Sequence, residues 1–317
     1  MNTTSFPRTT GKDFLSILDL EPEELERLLE TALRLKAERR LGPHAPTASA
    51  LAGTHVALLF EKPSLRTRST FEIAIRELGS QTLHVPSDMI SGTREPLEDI
   101  ARNLERWVHA LVVRTFAQEK ARALATATTT LHVINALTDE QHPCQALADF
   151  MTLYERWGHF RGRTIAYVGD GNNVAASLAQ AGAMLGVSIH LAAPAGYELP
   201  DRLVDAAVKA TRDGAVVRRF TDPREAVAGV DAIYTDVWTS MGQEEESDRR
   251  RLVFADYQVN DQLMGRARRD ALFMHCLPAH RGEEVTAEVL ESPVSVVFDQ
   301  AENRLHTQKA LLLMLLG

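Results

Sequence analysis

The chain has 317 residues, with 35 Lys and Arg against 43 Asp and Glu, a formal charge of −8. Apolar residues make up 44% and charged residues 25%, which excludes a collagen, a low-complexity chain and a disulfide scaffold. The acidic balance argues against a general nucleic-acid binder, whose phosphate contacts need a basic footprint, but it leaves room for a small basic pocket.

A single core stops growing at roughly 250–300 residues, so this length predicts two domains of ordinary size. The two cysteines, Cys144 and Cys276, lie far apart, and no Cys-x-x-Cys pair offers a zinc site. The opening stretch MNTTSFPRTTGKDF lacks the apolar core of a secretory signal, and the longest apolar run, 310–316, is too short to span a bilayer. A cytoplasmic protein that engages neither membrane nor nucleic acid is expected.

In chain order, Pro22 with Glu23 and Glu24 opens a helix, because proline suits the first turn and carboxylates suit its positive end. Leu25, Leu28, Leu29, Leu33 and Leu35 give that helix an apolar face. Strands are predicted at HVALLF (55–60), ALVVRTF (110–116) and HVINAL (132–137). Further strands are predicted at TIAYVGDG (164–171), SIHLAAP (188–194), AVVRRF (215–220), AIYTDVW (232–238), LFMHCLP (272–278) and VVFD (296–299). Helices fall between them at 69–78, 97–109, 144–156 and 174–185. Several strands are apolar throughout, as strands covered on both faces should be. This alternation predicts an α/β fold of two domains, 1–150 and 151–317, each a mainly parallel sheet flanked by helices. A helix at about 143–156 would join them, and a last helix at about 304–316 would pack back on the first domain.

Open parallel sheets bind ligands beyond the carboxyl ends of their strands. After the first strand comes Ser64-Leu65-Arg66-Thr67, which leads into a helix. Hydroxyls, a guanidinium and first-turn N–H groups suit a phosphate there, although a solvated helix cap would look alike. It is not a Walker A loop, since the Gly-Lys-Ser/Thr ending is absent. Arg114 ends an apolar strand, either as a ligand contact or as an ordinary exposed strand end. Gln141-His142-Pro143-Cys144-Gln145 sets neutral donors for a carbonyl or amide around a helix start, and a lone His there is more often structural. Gly169-Asp170-Gly171-Asn172-Asn173 fails the dinucleotide fingerprint, because its third glycine position is Val174 and the next strand ends without an acid. Its asparagines suit a carboxylate or an amino-acid backbone, or simply cap a helix. Asp236, followed by Ser240, Met241 and Gly242, suits a cationic or amino-acid ligand, or is a capped turn. Cys276 beside His275 reads as a nucleophile or as an inert buried thiol. Arg304, at the predicted start of the last helix, opposes the helix dipole unless an anion lies nearby.

Taken together, FEKxSxRTR, HPCQALADF, GDGNNV, DVWxSMGQE, HCLPAHRGEE and FDQAENR, in that order and over essentially the whole chain, resemble the aspartate/ornithine carbamoyltransferase family, on its ornithine side. The resemblance implies that carbamoyl phosphate binds to Ser64, Leu65, Arg66, Thr67, Arg114, His142, Pro143, Cys144, Gln145, Cys276, Leu277 and Arg304. It implies that ornithine binds to Asn173, Asp236, Ser240 and Met241. Arg66, Arg114, His142, Gln145 and Cys276 would be the catalytic set, with no cofactor and no metal, and domain closure would bring the substrates in line. A homotrimer, or a multiple of trimers, is implied as well. The chain departs from the family pattern at Leu65, where many members have Thr, and its backbone N–H could still serve. It departs again near Ile90, where many relatives place a Gln or His that reaches a neighbouring subunit, so no contact is assigned to that loop. Other readings are a carbamoyltransferase using aspartate, putrescine or N-acylated ornithine, a cysteine hydrolase built on Cys276, and a non-catalytic amino-acid sensor.

Overall fold

The computed structural model describes residues 9, 11–91, 95–239 and 244–317. The chain forms two compact units, residues 1–151 with 302–317, and residues 152–301.

Unit 1 opens with α1 (Pro22–Glu38), where Pro22 stands in the first turn and the Glu24 carboxylate takes the Glu21 N–H at 2.8 Å. Leu25, Leu28, Leu29 and Leu35 are buried as the apolar spacing predicts, whereas Leu33 lies at the margin of the face and is half-buried. Then follow β1 (His55–Phe60), α2 (Leu65–Glu77), β2 (Gln81–Val85), α3 (Leu97–Leu104), β3 (Ala110–Arg114), α4 (Gln118–Thr126), β4 (His132–Leu137) and α5 (Pro143–Trp157), whose second half belongs to unit 2. The strands pair in parallel in the order β2-β1-β3-β4. The apolar runs of β1 and β3 fill the middle of the sheet. Edge strand β2 is mostly exposed and alternates no apolar face, which is why apolar runs alone missed it. Strand order turns between β1 and β3, and register sets Phe60 beside Arg114 and Arg114 beside Leu137. The segments after β1, β3 and β4 therefore leave the sheet at one level, at the crevice that parallel topology creates.

Unit 2 contains β5 (Thr164–Val168), α6 (Asn173–Met184), β6 (Ser188–Ala192), α7 (Asp201–Lys209), β7 (Val217–Phe220), α8 (Pro223–Ala226), β8 (Ala232–Thr235), α9 (Ser247–Phe254), α10 (Asp261–Met264), β9 (Leu272–His275) and α11 (Ala287–Leu290). Its sheet is parallel throughout, in the order β7-β6-β5-β8-β9, and turns between β5 and β8. Thr235 pairs with His275, so Asp236 and Cys276 leave adjacent strands side by side.

The expected strand at 296–299 is absent. Phe273 donates to the Val294 carbonyl and accepts from the Val296 N–H, a single bridge at Ser295. At Val297 the chain turns into α12 (Val297–Leu316), and the Gln300 N–H already bonds the Val296 carbonyl in helical fashion. Two valines are too short a run to outweigh the helix formers that follow them. The helix expected to begin near 304 thus starts at Val297, and Arg304 lies within it, two turns from its start. The dipole argument made for Arg304 does not apply at that depth. The predicted helix 97–109 is also shorter, ending at Leu104 before the chain turns into β3.

Candidate active site

In unit 1, Ser64 caps α2, its hydroxyl accepting the Thr67 N–H at 3.2 Å. Leu65 and Arg66 form the first turn, where an α-helix leaves its N–H groups without intrahelical partners. The Leu65 side chain is 79% exposed, so only its backbone faces the turn's chemistry. The Arg66 side chain is half-buried and Arg114, at the end of β3, is buried. The first turn of α2, the end of β3 and a helix distant in sequence thus supply the cations.

That helix is α12. Arg304 is 2% exposed, its Nη1 donates to Gln145 Oε1 at 2.6 Å, and its Nη2 donates to Thr67 Oγ1 at 3.0 Å. Gln145 passes the contact on, its Nε2 donating to Asp149 Oδ1 at 2.8 Å. The segment is fastened beside these contacts, with Lys36 Nζ donating to Asn303 Oδ1 at 2.8 Å and Lys309 Nζ meeting Glu77 Oε2 at 3.1 Å. His142, just ahead of Pro143, is buried, and burial together with Arg304, Arg114 and Arg66 holds its imidazole well below the usual histidine pKa. It is a neutral donor or acceptor set among permanent cations. The Cys144 thiol points into the fold. It is buried, donates to the Asn135 carbonyl at 3.5 Å, and is pushed by burial up to about 12. What Pro143 and Cys144 can offer a ligand is backbone. Unit 1 thus brings together Ser64, Leu65, Arg66, Thr67, Arg114, His142, Pro143, Cys144, Gln145 and Arg304.

Lys62 secures the loop that carries Ser64. Nearly buried, it pairs with Asp139 at 2.5 Å, and its Nζ lies 4.1 Å from the Phe116 ring centroid. Thr115 and Lys120 hold neighbouring Glu61. Ile90 is fully buried in the hydrophobic core of unit 1.

In unit 2, Gly171 is required by close approach. A Cβ there would lie 2.1 Å from the Leu199 nitrogen, while its own N–H bonds the Tyr197 carbonyl at 2.8 Å. The two asparagines that follow divide the work. Asn172 caps α6, its Oδ1 accepting the N–H groups of Val174 and Ala175, and Asn173 is the first helical residue. Asn172 Nδ2 donates to Asp236 Oδ2 at 2.7 Å, and the Cys276 thiol donates to Asp236 Oδ1 at 3.0 Å. Asp236 is 7% exposed. A buried carboxylate between neutral donors is a receptor for an ammonium group. Ser240 and Met241 lie outside the described residues. Cys276 and Leu277 stand in unit 2 with Asp236.

The thiol's neighbour His275 is not its base. Nδ1 of His275 accepts the Leu277 N–H at 2.8 Å, which leaves the proton on Nε2, facing Glu284 Oε1 at 3.2 Å. Ligand atoms of Asp236, His275 and Cys276 lie within 4.8 Å of one another, but the imidazole would have to leave a partner to ligate a metal.

The sequence does not single out Asp149 or Arg250, and it offers Asn172 only together with Asn173, without the contact to Asp236. Arg250 is buried on α9, donates to the Trp238 carbonyl at 2.8 Å, and pairs with Asp170 at 3.2 Å. Burial raises Asp170 to about 6 despite that guanidinium. Nothing within Arg249-Arg250-Arg251 marks the middle residue as the buried one. The doublet Asn172-Asn173 at a helix start does carry a signal, since only one of two asparagines can be the cap.

Family models of aspartate/ornithine carbamoyltransferases match the chain twice. The carbamoyl-P binding domain matches residues 12–155, and the Asp/Orn binding domain matches residues 161–315. The chain belongs to the aspartate/ornithine carbamoyltransferase family. Within the family it is 51% identical over 310 residues to the ornithine carbamoyltransferase of Acidothermus cellulolyticus, covering 96% of each chain. It is 47% identical over 318 residues to that of Anoxybacillus flavithermus, covering 100% of each. The solved ornithine carbamoyltransferase structure from Pyrococcus furiosus superposes with a TM-score of 0.92 at 46% identity, covering 97% of both chains. The one from Thermus thermophilus gives 0.87 at 44%, covering 98% of this chain and 100% of that one. Arg66, Arg114 and His142 fall within the stretch that matches the family's carbamoyl-P domain, and Asn172, Asp236, Cys276 and Arg304 within the stretch that matches its Asp/Orn domain.

Proposed function

We propose that the protein is an ornithine carbamoyltransferase, which moves the carbamoyl group of carbamoyl phosphate to the δ-amine of L-ornithine and yields L-citrulline and phosphate. One observation carries the reading: Arg66, Arg114 and Arg304 surround a buried His142 that they and its burial keep neutral. Cations for a dianion, beside a neutral N–H for a carbonyl, fit carbamoyl phosphate better than a simple phosphate site would. The names of the relatives supply the acceptor amine, and the Asp236 carboxylate suits its α-ammonium group.

In this reading the unit around Arg304 binds carbamoyl phosphate and the unit around Asp236 binds ornithine. The α2 first turn, with Ser64, Leu65, Arg66 and Thr67, takes phosphate oxygens along with Arg304. Arg114, His142 and Gln145 polarise the carbamoyl oxygen. The neutral δ-amine attacks the carbonyl carbon, and its nitrogen lone pair forms the new C–N bond. The C=O electrons move to an oxyanion that these preorganised donors stabilise. Collapse of the tetrahedral intermediate breaks the C–O bond to phosphate, the surplus amine proton passes to the departing phosphate oxygen, and phosphate leaves against Arg66 and Arg304. Asp236 and Cys276 orient the ornithine amine, with Asn173 on the amino acid's carboxylate and Ser240 and Met241 completing the pocket. Cys144 and Pro143 contribute backbone, and Cys276 and Leu277 also contact carbamoyl phosphate.

Family resemblance supports a homotrimer, or a multiple of trimers, working in the cytoplasm. Among the described residues no helix is long and apolar enough to cross a membrane. The test is carbamoylation of ornithine, aspartate, putrescine and N-acetylornithine in parallel. Fastest turnover on ornithine is expected, and fastest turnover on any other amine overturns the assignment. Native mass settles the oligomer.

A further inference from the structure

We infer that Asn172 is a positioning residue for the α-ammonium group of the acceptor, acting through Asp236: its amide nitrogen holds one carboxylate oxygen and leaves the other turned toward Cys276 and the incoming ammonium. The inference rests on the assignment of Asp236 to ornithine made above.

The amide orientation follows from the donors around it. Asn172 Oδ1 meets the Val174 N–H at 2.9 Å, the Ala175 N–H at 3.2 Å and the Tyr167 hydroxyl at 3.1 Å. Flipping the amide would set its NH2 against two backbone donors that cannot reverse. Nδ2 must therefore face Asp236 Oδ2, 2.7 Å away. That contact links the strand-end loop of β5 to that of β8 across the point where strand order turns. On the far side of the same carboxylate, Cys276 donates from the end of β9. Asp236 is thus fixed from both neighbouring strands, with its torsional freedom removed before a ligand arrives. Preorganised groups of this kind gain affinity by cutting the ordering cost of binding.

Capping alone does not explain an asparagine here. Ser or Asp would supply the capping oxygen about equally well. Only the amide nitrogen reaches Asp236. In Asn172→Asp a second carboxylate oxygen would stand where Nδ2 now donates, against a like charge.

The experiment uses the full-length enzyme with Asn172→Ser and Asn172→Asp. Measured are ornithine KM and kcat, carbamoyl phosphate Kd by calorimetry, binding of L-norvaline (ornithine without its δ-amine), and the thermal midpoint. Both variants keep the cap, so carbamoyl phosphate Kd is expected to stay close to wild type in both and the thermal midpoint in Asn172→Ser, while the like charge beside Asp236 lowers the midpoint of Asn172→Asp. Ornithine KM and norvaline Kd are expected to rise about tenfold or more, with Asn172→Asp the more affected. Wild-type ornithine KM in Asn172→Ser overturns the inference. So does an equal loss for both ligands with a lowered thermal midpoint, which would leave a helix cap and nothing more. If the unmodified enzyme makes no citrulline from ornithine, the substrate assignment itself fails, a result that no variant is needed to see.

Discussion

Arg304 donates from Nη2 to the hydroxyl of Thr67 at 3.0 Å, across 237 positions of sequence. Its other terminal nitrogen reaches Gln145, so one guanidinium ties α12 to the first turn of α2 and to the first turn of α5. Neither of these two acceptors carries charge, so neither neutralises the guanidinium.

Arg304→Met is expected to raise carbamoyl phosphate Kd by at least tenfold in calorimetry. It also removes the donor to Thr67 and Gln145, two buried acceptors whose desolvation costs on the order of 1–3 kcal/mol each. A lowered thermal midpoint should therefore accompany the weaker binding. Unchanged Kd in a folded Arg304→Met protein would remove Arg304 from the site.

Cys276→Ser keeps a donor toward Asp236, since a hydroxyl replaces the thiol. Both substrates should bind nearly as before while kcat falls, and no acyl-enzyme should appear by mass spectrometry in the wild type during turnover. A trapped covalent adduct on Cys276 would revive the hydrolase reading. The geometry disfavours it, because the only histidine beside the thiol in sequence, His275, is committed to Leu277 and Glu284.

What the sequence made legible follows its apolar runs. The central strands β1, β3, β5 and β8 are legible because burial on both faces leaves them almost without polar residues, although β3, β5 and β8 end two to three residues before their apolar-run predictions do. The residues after them then fell in place, since a parallel sheet gathers its strand ends. Edge strand β2, with Gln81, Leu83 and His84 exposed, carries no such run. The two valines at 296–297 carried one and misled, because a bridge at Ser295 is all the strand they form. Side-chain partners were the least legible. The Asn172–Asp236 and Arg250–Trp238 contacts depend on register between strands far apart in sequence, which no local pattern encodes.

Glu105 predicts a pH dependence of stability away from the site. Its carboxylate accepts the N–H groups and hydroxyls of Thr129 and Thr130, and the backbone N–H groups chiefly hold it at about 2, from an ordinary 4.5. A depressed carboxylate stabilises the fold fully above its unfolded pKa and loses that contribution as pH falls through its folded value. Glu105→Gln should therefore lower the urea midpoint at pH 7. The gap from wild type should narrow below pH 4.5 and close toward pH 2. A gap independent of pH would assign the effect to packing.

Asp236→Asn tests the division of the ligands between the two units. The substitution removes the charge that faces the ornithine ammonium. It also sets an amide against the Asn172 amide, which already donates to that position. Turned one way the new amide sets a donor against the Asn172 donor, and turned the other it puts an N–H where the carboxylate now accepts from Cys276, so the preorganised receptor is lost along with its charge. Ornithine KM should rise by about two orders of magnitude, as expected when a buried charged partner is truncated at a cost of roughly 2–5 kcal/mol. Carbamoyl phosphate, held in this reading chiefly by Arg66, Arg114, His142 and Arg304, should bind with nearly its original Kd. Calorimetry with each ligand alone separates the outcomes, and equal weakening of both would mean that Asp236 serves the whole site rather than the amine.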